Sequence, residues 1–417
     1  YLSTEWMEDV KFCVDKAREN DLELWIYDED KWPSGAAGGK VSRVNPAEFT
    51  ARALTMECGK AGELAVPAKL SNEEERTVTG DSDSIMCGGN RSTDENFMSG
   101  RNGSEDLAVE ETMETEFLQG VYVIQTAADG RFIKRMKEYL TYEEAAGACG
   151  VDEEILLLRQ EISGKSEWYN GLMPPDNLNP ESVKTFLKLT HEHYEEVFGG
   201  SFPKEVKGFF TDEPNCCDFF SVFHEGRPWI PWSIGFTEYF IEKRGYDPQE
   251  KLPYLFFDGE GAEKIRHDYW KTVAQRFEES YMKQVYEWCD KRGLRTTGHI
   301  LYENDLGYQT RVCGAAMPQL RYLHNPGIDL LGAQTDEYLT VKQCASVAHQ
   351  YDRSMTISEA YGCTGWELDF STQKWLGDWQ FALGITRRCQ HLALYSITGC
   401  RKRDYPPVFN YQNTWWD

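Results

Sequence analysis

The sequence has no GxGxxG turn opening a helix after a strand and no GxxxxGK[ST] loop, so the main support for a nucleotide-binding fold is missing. It has no HExxH, no CxxC pair and no regular EF-hand loop, which removes the spacing-defined zinc and calcium sites. No apolar run approaches the roughly 20 residues of a membrane span. Basic residues are scarce: 44 Lys and Arg stand against 69 Asp and Glu, a formal charge of −25 over 417 residues. Such a surface repels phosphate backbones and anionic lipid alike, so nucleic acid and membrane drop out as partners. The 12 cysteines are scattered from Cys13 to Cys400 with one adjacent pair, Cys216-Cys217. That is the pattern of reduced core thiols rather than a disulfide framework, and without a signal-like segment after Tyr1 the expected compartment is the cytoplasm. What the chain does have is rings: 22 Tyr, 21 Phe and 13 Trp make 13% of it. Flat rings stack on sugars as readily as on bases, and the charge already disfavours bases.

Apolar periodicity predicts a helix over 4–20 and a strand over 22–27. The alternation returns with a helix over 180–197, a strand over 206–211, a long helix over 263–292 and a strand over 294–301. It continues with strands over 328–331 and 355–358, helices over 339–350 and 372–389, and a last strand over 392–397. Repeated β and α elements of this kind indicate a parallel sheet, open or closed into a barrel. Residues 60–170 break the rhythm. Within them, 71–117 hold 13 Asp and Glu against 3 Lys and Arg, the composition of a solvated loop, while 121–126 and 155–160 read as strands of a small β-rich insertion. A second excursion over about 215–261 carries a helical pattern at 236–243 and reads as a cap.

In a (β/α) barrel the reacting groups project from the C-terminal ends of the strands. Those positions are polar here. The strand over 22–27 runs into Asp28-Glu29-Asp30-Lys31-Trp32-Pro33-Ser34-Gly35, and the strand over 206–211 into Asp212-Glu213-Pro214. His299 lies on the strand that runs out into Tyr302-Glu303-Asn304-Asp305, and Ser358 is followed by Glu359-Ala360-Tyr361-Gly362. Two carboxyl groups across a scissile bond are what glycoside hydrolysis needs, one protonated to release the leaving oxygen and one ionised to attack or to activate water. Glu213 and Glu359 are the best pair; the competing reading of each is a helix cap or a rim salt bridge. Trp32 and Trp366 are candidate sugar-stacking walls, whereas Trp375 and Trp379, four apart on a helix, read as packing. His299 could orient a substrate hydroxyl or be a satisfied core histidine. Arg401-Lys402-Arg403 follows the last strand, as substrate contacts or as a solvated charge run. Asp28-Glu29-Asp30 is a loose acidic cluster that could offer oxygens to Ca²⁺, although nothing in the sequence requires a cofactor.

Taken together, Tyr27-Asp28-Glu29-Asp30-Lys31-Trp32-Pro33-Ser34-Gly35 with Gly38-Gly39, Thr190-His191-Glu192, Phe210-Thr211-Asp212-Glu213-Pro214, Thr297-Gly298-His299, Gly327-Ile328-Asp329, Ser358-Glu359-Ala360-Tyr361-Gly362 and Tyr395-Ser396-Ile397 with Arg401-Lys402-Arg403-Asp404-Tyr405-Pro406-Pro407 make a recognisable order. In that order the chain resembles the catalytic region of glycoside hydrolase family 106, the α-L-rhamnosidase-like enzymes, over residues 1–59 and about 170–417. The resemblance implies an α/β fold, a (β/α)₈ TIM-type barrel with a β-rich insertion, that cleaves a terminal α-L-rhamnosyl unit of an oligosaccharide or glycoside with inversion. It implies Glu213 as general acid and Glu359 as the base that activates water, with Glu303 the rival for the second role. Asp28, Trp32, His299, Asp329 and the segment from Arg401 to Arg403 would hold the sugar, and Ca²⁺ near the hydroxyls at carbons 2 and 3 is implied without its ligands. The expected organisation is a first barrel part over 1–59, the insertion over 60–170 and the remaining barrel over 171–417. Even counting a weak strand over 170–173, closure into a barrel takes more sequence than these residues provide. Two other readings stay open: a retaining β-glycosidase of the large barrel clan, with carboxyls about 5–5.5 Å apart instead of roughly 6.5–9.5 Å, and an inactive carbohydrate-binding protein.

Overall fold

The computed structural model describes residues 1–64, 116–216 and 227–392, and beyond them Pro406, Pro407, Phe409, Asn413 and Trp415. Arg401, Arg403, most of the acidic segment and all but the first residue of the strand expected over 392–397 lie outside the described residues. In chain order the strands are β1 (Leu24–Tyr27), β2 (Arg52–Gly59), β3 (Glu116–Thr126), β4 (Ile133–Tyr139), β5 (Glu154–Ile162), β6 (Val206–Asp212), β7 (Trp229–Trp232), β8 (Arg295–His299), β9 (Asn325–Leu330), β10 (Ile357–Ala360) and β11 (Arg387–Gln390). They form two sheets, a six-stranded one in the order β1-β6-β8-β9-β10-β11 and a five-stranded one in the order β4-β3-β5-β2-β7.

This corrects the expected (β/α)₈ TIM-type barrel: the protein is α/β, but among the described residues the parallel strands number six and the rest belong to an antiparallel sheet. The physical reasons are local. Residues 52–59 pair antiparallel with β5 and β7, so they leave the parallel series. The stretch expected as a strand over 170–173 makes one isolated bridge, between Leu172 and Ser166, with Asn170 and Gly171 both at positive φ. The helix expected over 372–389 stops at Leu383, because Gly384 takes a left-handed φ of 117° as its C-cap; β11 follows in what reads as that helix's tail.

Contact density divides the chain into two compact units. One comprises Tyr1–Cys13, Gly38–Asn179 and Cys217–Thr272. It holds the antiparallel sheet, and Leu118, Val121, Val123, Ile155 and Leu157 of β3 and β5 bury their side chains with Ala145 of the helix Tyr142–Ala148. The other unit comprises Val14–Ala37, Pro180–Cys216 and Val273–Asp417 and holds the parallel sheet. Every strand pairing in it is parallel, which forces crossover connections and gathers all the C-terminal strand ends at one edge. Phe209 of β6 shows how the core forms: it is 1% exposed and packs against His191, Tyr194, Phe202 and Trp288. Burying a ring of that size is worth about 1.5–3 kcal/mol. Much of the aromatic excess is therefore core in this unit.

Helix caps fix where the loops over the strand ends stop. The Asp305 side chain accepts from the Tyr308 amide and starts the helix Leu306–Cys313, and Asp369 does the same for Phe370–Leu383 through the Thr372 amide. The nine described cysteines are unbridged. Among the described residues no helix is long and apolar enough to cross a membrane.

Candidate active site

Parallel register builds the site. Asp212 at the end of β6 sits opposite His299 at the end of β8, and Asp329 of β9 sits opposite Glu359 of β10. The first juxtaposition depends on Gly298: its φ is 142° and a Cβ there would lie 1.8 Å from the Thr211 carbonyl oxygen. Only glycine lets β6 and β8 approach this closely. The ladders also run on past the strands. The Asp28 amide donates to the Phe210 carbonyl at 3.0 Å, and the His391 amide donates to the Ala360 carbonyl at 3.0 Å, so Asp28 joins the row at one side and His391 at the other.

The loop after β1 is shaped by its own carboxylates. Glu29 is 1% exposed; one of its oxygens accepts from the amides of Gly35, Ala36 and Ala37 at 3.1, 2.8 and 2.8 Å, and the other from the Asp30 amide at 2.8 Å. Four amides on one carboxylate fold the chain back on itself. That returns Ser34 to β6, where its amide donates to the Asp212 carbonyl at 2.7 Å, its oxygen accepts from the Asp212 amide at 2.8 Å and its hydroxyl donates to Asp28 at 2.6 Å. Asp28 is fully buried, and its other oxygen lies 4.0 Å from His191. Burial holds His191 neutral, its pKa pushed down to about 3.

His299, 2% exposed, is the centre of the site. Its Nε2 lies 2.9 Å from Glu359 Oε2 and 3.1 Å from Asp212 Oδ1. Donor atoms of Glu213, His299 and Asp329 also fall within 4.8 Å of one another, so Glu213 and Glu359 both lie close to one imidazole. Glu303 reaches in from the loop after β8, its carboxylate accepting from the Ile300 amide at 3.2 Å and the Asp329 amide at 2.9 Å. His391 Nε2 lies 3.8 Å from the second oxygen of Glu359. Glu213, Tyr302 and Tyr361, each just past a strand end, have positive φ of 49°, 52° and 77°. Such backbone costs about 1–3 kcal/mol per residue and clusters at functional sites.

Crowded carboxyls under one cation separate in acidity. Burial pushes the Glu213 carboxyl up to about 8, with the His299 charge opposing and Asp212, Glu303 and Glu359 adding. Burial likewise pushes Glu303 up to about 7 and Asp212 up to about 6, and carries Asp329 well above the ordinary range. Glu359 goes the other way: burial opposes its charge, but the hydrogen bond and charge of His299, with His391, hold it below the ordinary range. His299 is held well above the usual imidazole value by Glu359, Asp212 and Asp329 despite burial. The shifts favour a proton on Glu213 and a charge on Glu359, a combination able to give and take protons across a single bond.

Of the residues singled out in the sequence, Glu213, Glu359, His299, Glu303 and Asp329 come together, and Asp28 lies at the margin through Ser34. Trp32 is half-buried in the loop after β1, and Trp366 is 48% exposed in the loop after β10. Trp375 is 49% exposed. Trp415 packs on Phe370 and Phe409, with its indole N–H on the Leu368 carbonyl. Sequence reasoning did not single out Asp212, Tyr27 or His391 as site residues. Asp212 and Tyr27 stood within the quoted runs, but register is what gives them partners; His391 carried no signal.

Among the described residues, two groups of three side chains bring donor atoms together, Asp212-His299-Glu359 and Glu213-His299-Asp329. In the first, both carboxylates already face the His299 Nε2, at 3.1 and 2.9 Å. In the second, two carboxyls and an imidazole fall short of the about six to eight oxygens that Ca²⁺ takes. The oxygens of Glu29 are committed to amides. The described residues therefore do not by themselves fit a calcium ion, and no step below passes through one.

A solved structure, that of a rhamnosidase from Novosphingobium sp. PP1Y, resembles the chain with a TM-score of 0.46 at 20% identity, covering 64% of this chain and 25% of that one. The chain spans about a quarter of that protein's length. A likeness of this degree carries no argument about activity. No protein-family model matches the chain, and no curated protein matches it.

Proposed function

We propose that this protein is a glycoside hydrolase in which Glu213 protonates the leaving oxygen and Glu359 activates water against the anomeric carbon, with inversion. The observation that carries the reading is the gathering of two carboxyls beside one imidazole, Glu359 at 2.9 Å and Glu213 within 4.8 Å of His299, with burial pushing Glu213 up to about 8 and His299 holding Glu359 low. Glu303 is the poorer candidate for that role, since its carboxylate already accepts from two backbone amides and burial pushes it up to about 7, toward holding a proton. A terminal α-L-rhamnosyl unit is the proposed substrate on the strength of the motif order alone. Asp329 fits a contact to a sugar hydroxyl, because its Oδ1 is buried without a hydrogen-bond partner among the described residues. Trp366, exposed at the rim, would stack on the sugar.

The test is a screen of aryl glycosides, α-L-rhamnoside included, with proton NMR of the first-formed anomer. Turnover of the rhamnoside with the β-anomer appearing first is the expected result. Glu213→Gln should lower kcat on a poor leaving group by about 10²–10⁴-fold while sparing sugar binding. The α-anomer appearing first would replace this mechanism by a retaining one. Binding without any turnover would make the protein a carbohydrate binder and end the proposal.

A further inference from the structure

We propose that Asp212 is a positioning residue that holds the His299 proton while Glu359 acts as base, and that Tyr27 and Ser34 hold Asp212 in place for it. The inference rests on the glycosidase reading, but its test includes a readout that needs no turnover.

The His299 imidazole offers one nitrogen to two acids. Nε2 faces Glu359 at 2.9 Å and Asp212 at 3.1 Å, while Nδ1 is buried without a hydrogen-bond partner among the described residues. When water attacks, its O–H bond breaks and the proton goes to Glu359. The water oxygen bonds to the anomeric carbon, and the glycosidic bond breaks with its electron pair going to the leaving oxygen, which takes the proton of Glu213. Glu359 is then neutral, and its hold on the Nε2–H falls because charge-assisted hydrogen bonds are about twice as strong as neutral ones. Without another acceptor the imidazolium would stand unpaired in a buried site or surrender its proton. Asp212 is that acceptor, so the N–H turns from one carboxylate to the other and no proton leaves the ring.

Asp212 is held as this task requires. Its Oδ2 accepts from the Tyr27 hydroxyl at 2.5 Å, and its backbone amide and carbonyl both bond to Ser34, at 2.8 and 2.7 Å. Only Oδ1 is turned to the imidazole. The Tyr27 ring stacks on Phe210, which meets His299 edge-on with centroids 5.6 Å apart. The titratable groups around Asp212 are Tyr27 and Asp28 from β1 and its tail, Glu213 beside it, His299 from β8, Glu359 from β10 and His391 after β11. His299 further faces Asp329 and Glu303. Burial pushes Asp212 up to about 6, with His299, Tyr27 and His391 opposing and Glu359 adding. The Tyr27 hydrogen bond thus keeps Asp212 ionised to lower pH.

Tyr27→Phe keeps the ring and its stack and removes only the donor. The Asp212 carboxyl should then take up its proton at higher pH, moving the acid limb of the kcat profile upward by about one pH unit, with kcat recovering on the alkaline side and KM within about twofold. Asp212→Asn should lower kcat about 10²-fold with KM little changed. A merely structural role would leave the acid limb where it was. Independently of turnover, nitrogen NMR should find the His299 pKa lowered by about one unit or more in Asp212→Asn, since an adjacent anion is gone. An unchanged His299 titration in Asp212→Asn, or an unmoved acid limb in Tyr27→Phe, overturns the proposal. If the wild-type protein hydrolyses no glycoside, the glycosidase reading fails, and the His299 titration still decides whether Asp212 holds the imidazole proton.

Discussion

The two units treat buried charge in opposite ways. On the antiparallel sheet Arg159, with 4% of its side chain exposed, pairs with Glu57 at 2.9 Å and Glu116 at 3.3 Å, and Arg227 pairs with Glu161 at 3.0 Å and reaches Glu116 at 3.8 Å. Glu57, Glu116 and Glu161 each face a guanidinium, and Glu161 also takes a hydrogen bond from Thr55 at 2.7 Å. On the parallel sheet Asp212, Glu213, Glu303, Asp329 and Glu359 crowd around one imidazole, and four of the five are pushed toward holding protons. A balanced network is structure, whereas an unbalanced one spends stability to keep protons within reach, which is how active sites commonly differ from the rest of a protein. The guanidinium that would quiet the cluster is absent from it among the described residues.

The largest effect should come from breaking the register that assembles the cluster. Gly298→Ala places a Cβ 1.8 Å from the Thr211 carbonyl oxygen at a φ of 142°, and backbone has no rotamer with which to give way. A loss of about 3 kcal/mol or more is expected, at or above the top of the range of ordinary substitutions, as strain at a special φ would give. Chemical denaturation measures it, and a loss below about 1 kcal/mol would mean that β6 and β8 can separate without cost. Next comes the cost of the imbalance itself. Glu213 is raised to about 8, so the folded protein binds a proton that the unfolded chain has released by about pH 5, and stability must fall as pH rises through that window. The slope is at most about 1.4 kcal/mol per pH unit for one group. Glu213→Gln removes it, so the variant should gain on the wild type from pH 5 to pH 8 while losing activity. Parallel stability curves for the two proteins would contradict the assigned proton.

Much of the parallel sheet was legible because a buried parallel strand is a short apolar run, and 206–211 or 328–331 cannot be much else. The acids at their tails were legible for the same reason, since a run that stops at Asp212-Glu213 or Ser358-Glu359 marks its own end. Closure was not. β11 is Arg387-Arg388-Cys389-Gln390, exposed and without an apolar signal, so only its pairing with β10 makes it a strand. β2 carries an apolar pattern that fits either sheet, and β7 holds Pro231 at a position where a central strand would lose a ladder bond; its place at the edge explains the tolerance. Within the site, Asp28-Glu29-Asp30 reads as one acidic cluster, yet the fold gives Glu29 four amides and Asp28 a serine. The roles of Asp212 and His391 depend on which strand lies next to which, and local pattern does not contain that.

The smallest effect sharpens the contrast from the other side. Arg159→Ala makes the antiparallel sheet resemble the active cluster by leaving Glu57 without its cation and Glu116 with only Arg227 at 3.8 Å. The two glutamates keep 30% and 37% of their side chains exposed, so water screens the repulsion and the loss should be about 1–2 kcal/mol rather than the larger cost of breaking a fully buried pair. The deficit should shrink at high salt, which screens an ion pair and leaves packing alone, and kcat should not change, because the ion-pair partners of Arg159 are Glu57 and Glu116 of the antiparallel sheet. Denaturation midpoints at low and high salt, beside one rate measurement, test all three. A deficit that persists unchanged at high salt would mean that Arg159 acts through its packed stem instead of its charge, and the distinction between a balanced and an unbalanced sheet would then rest on the parallel unit alone.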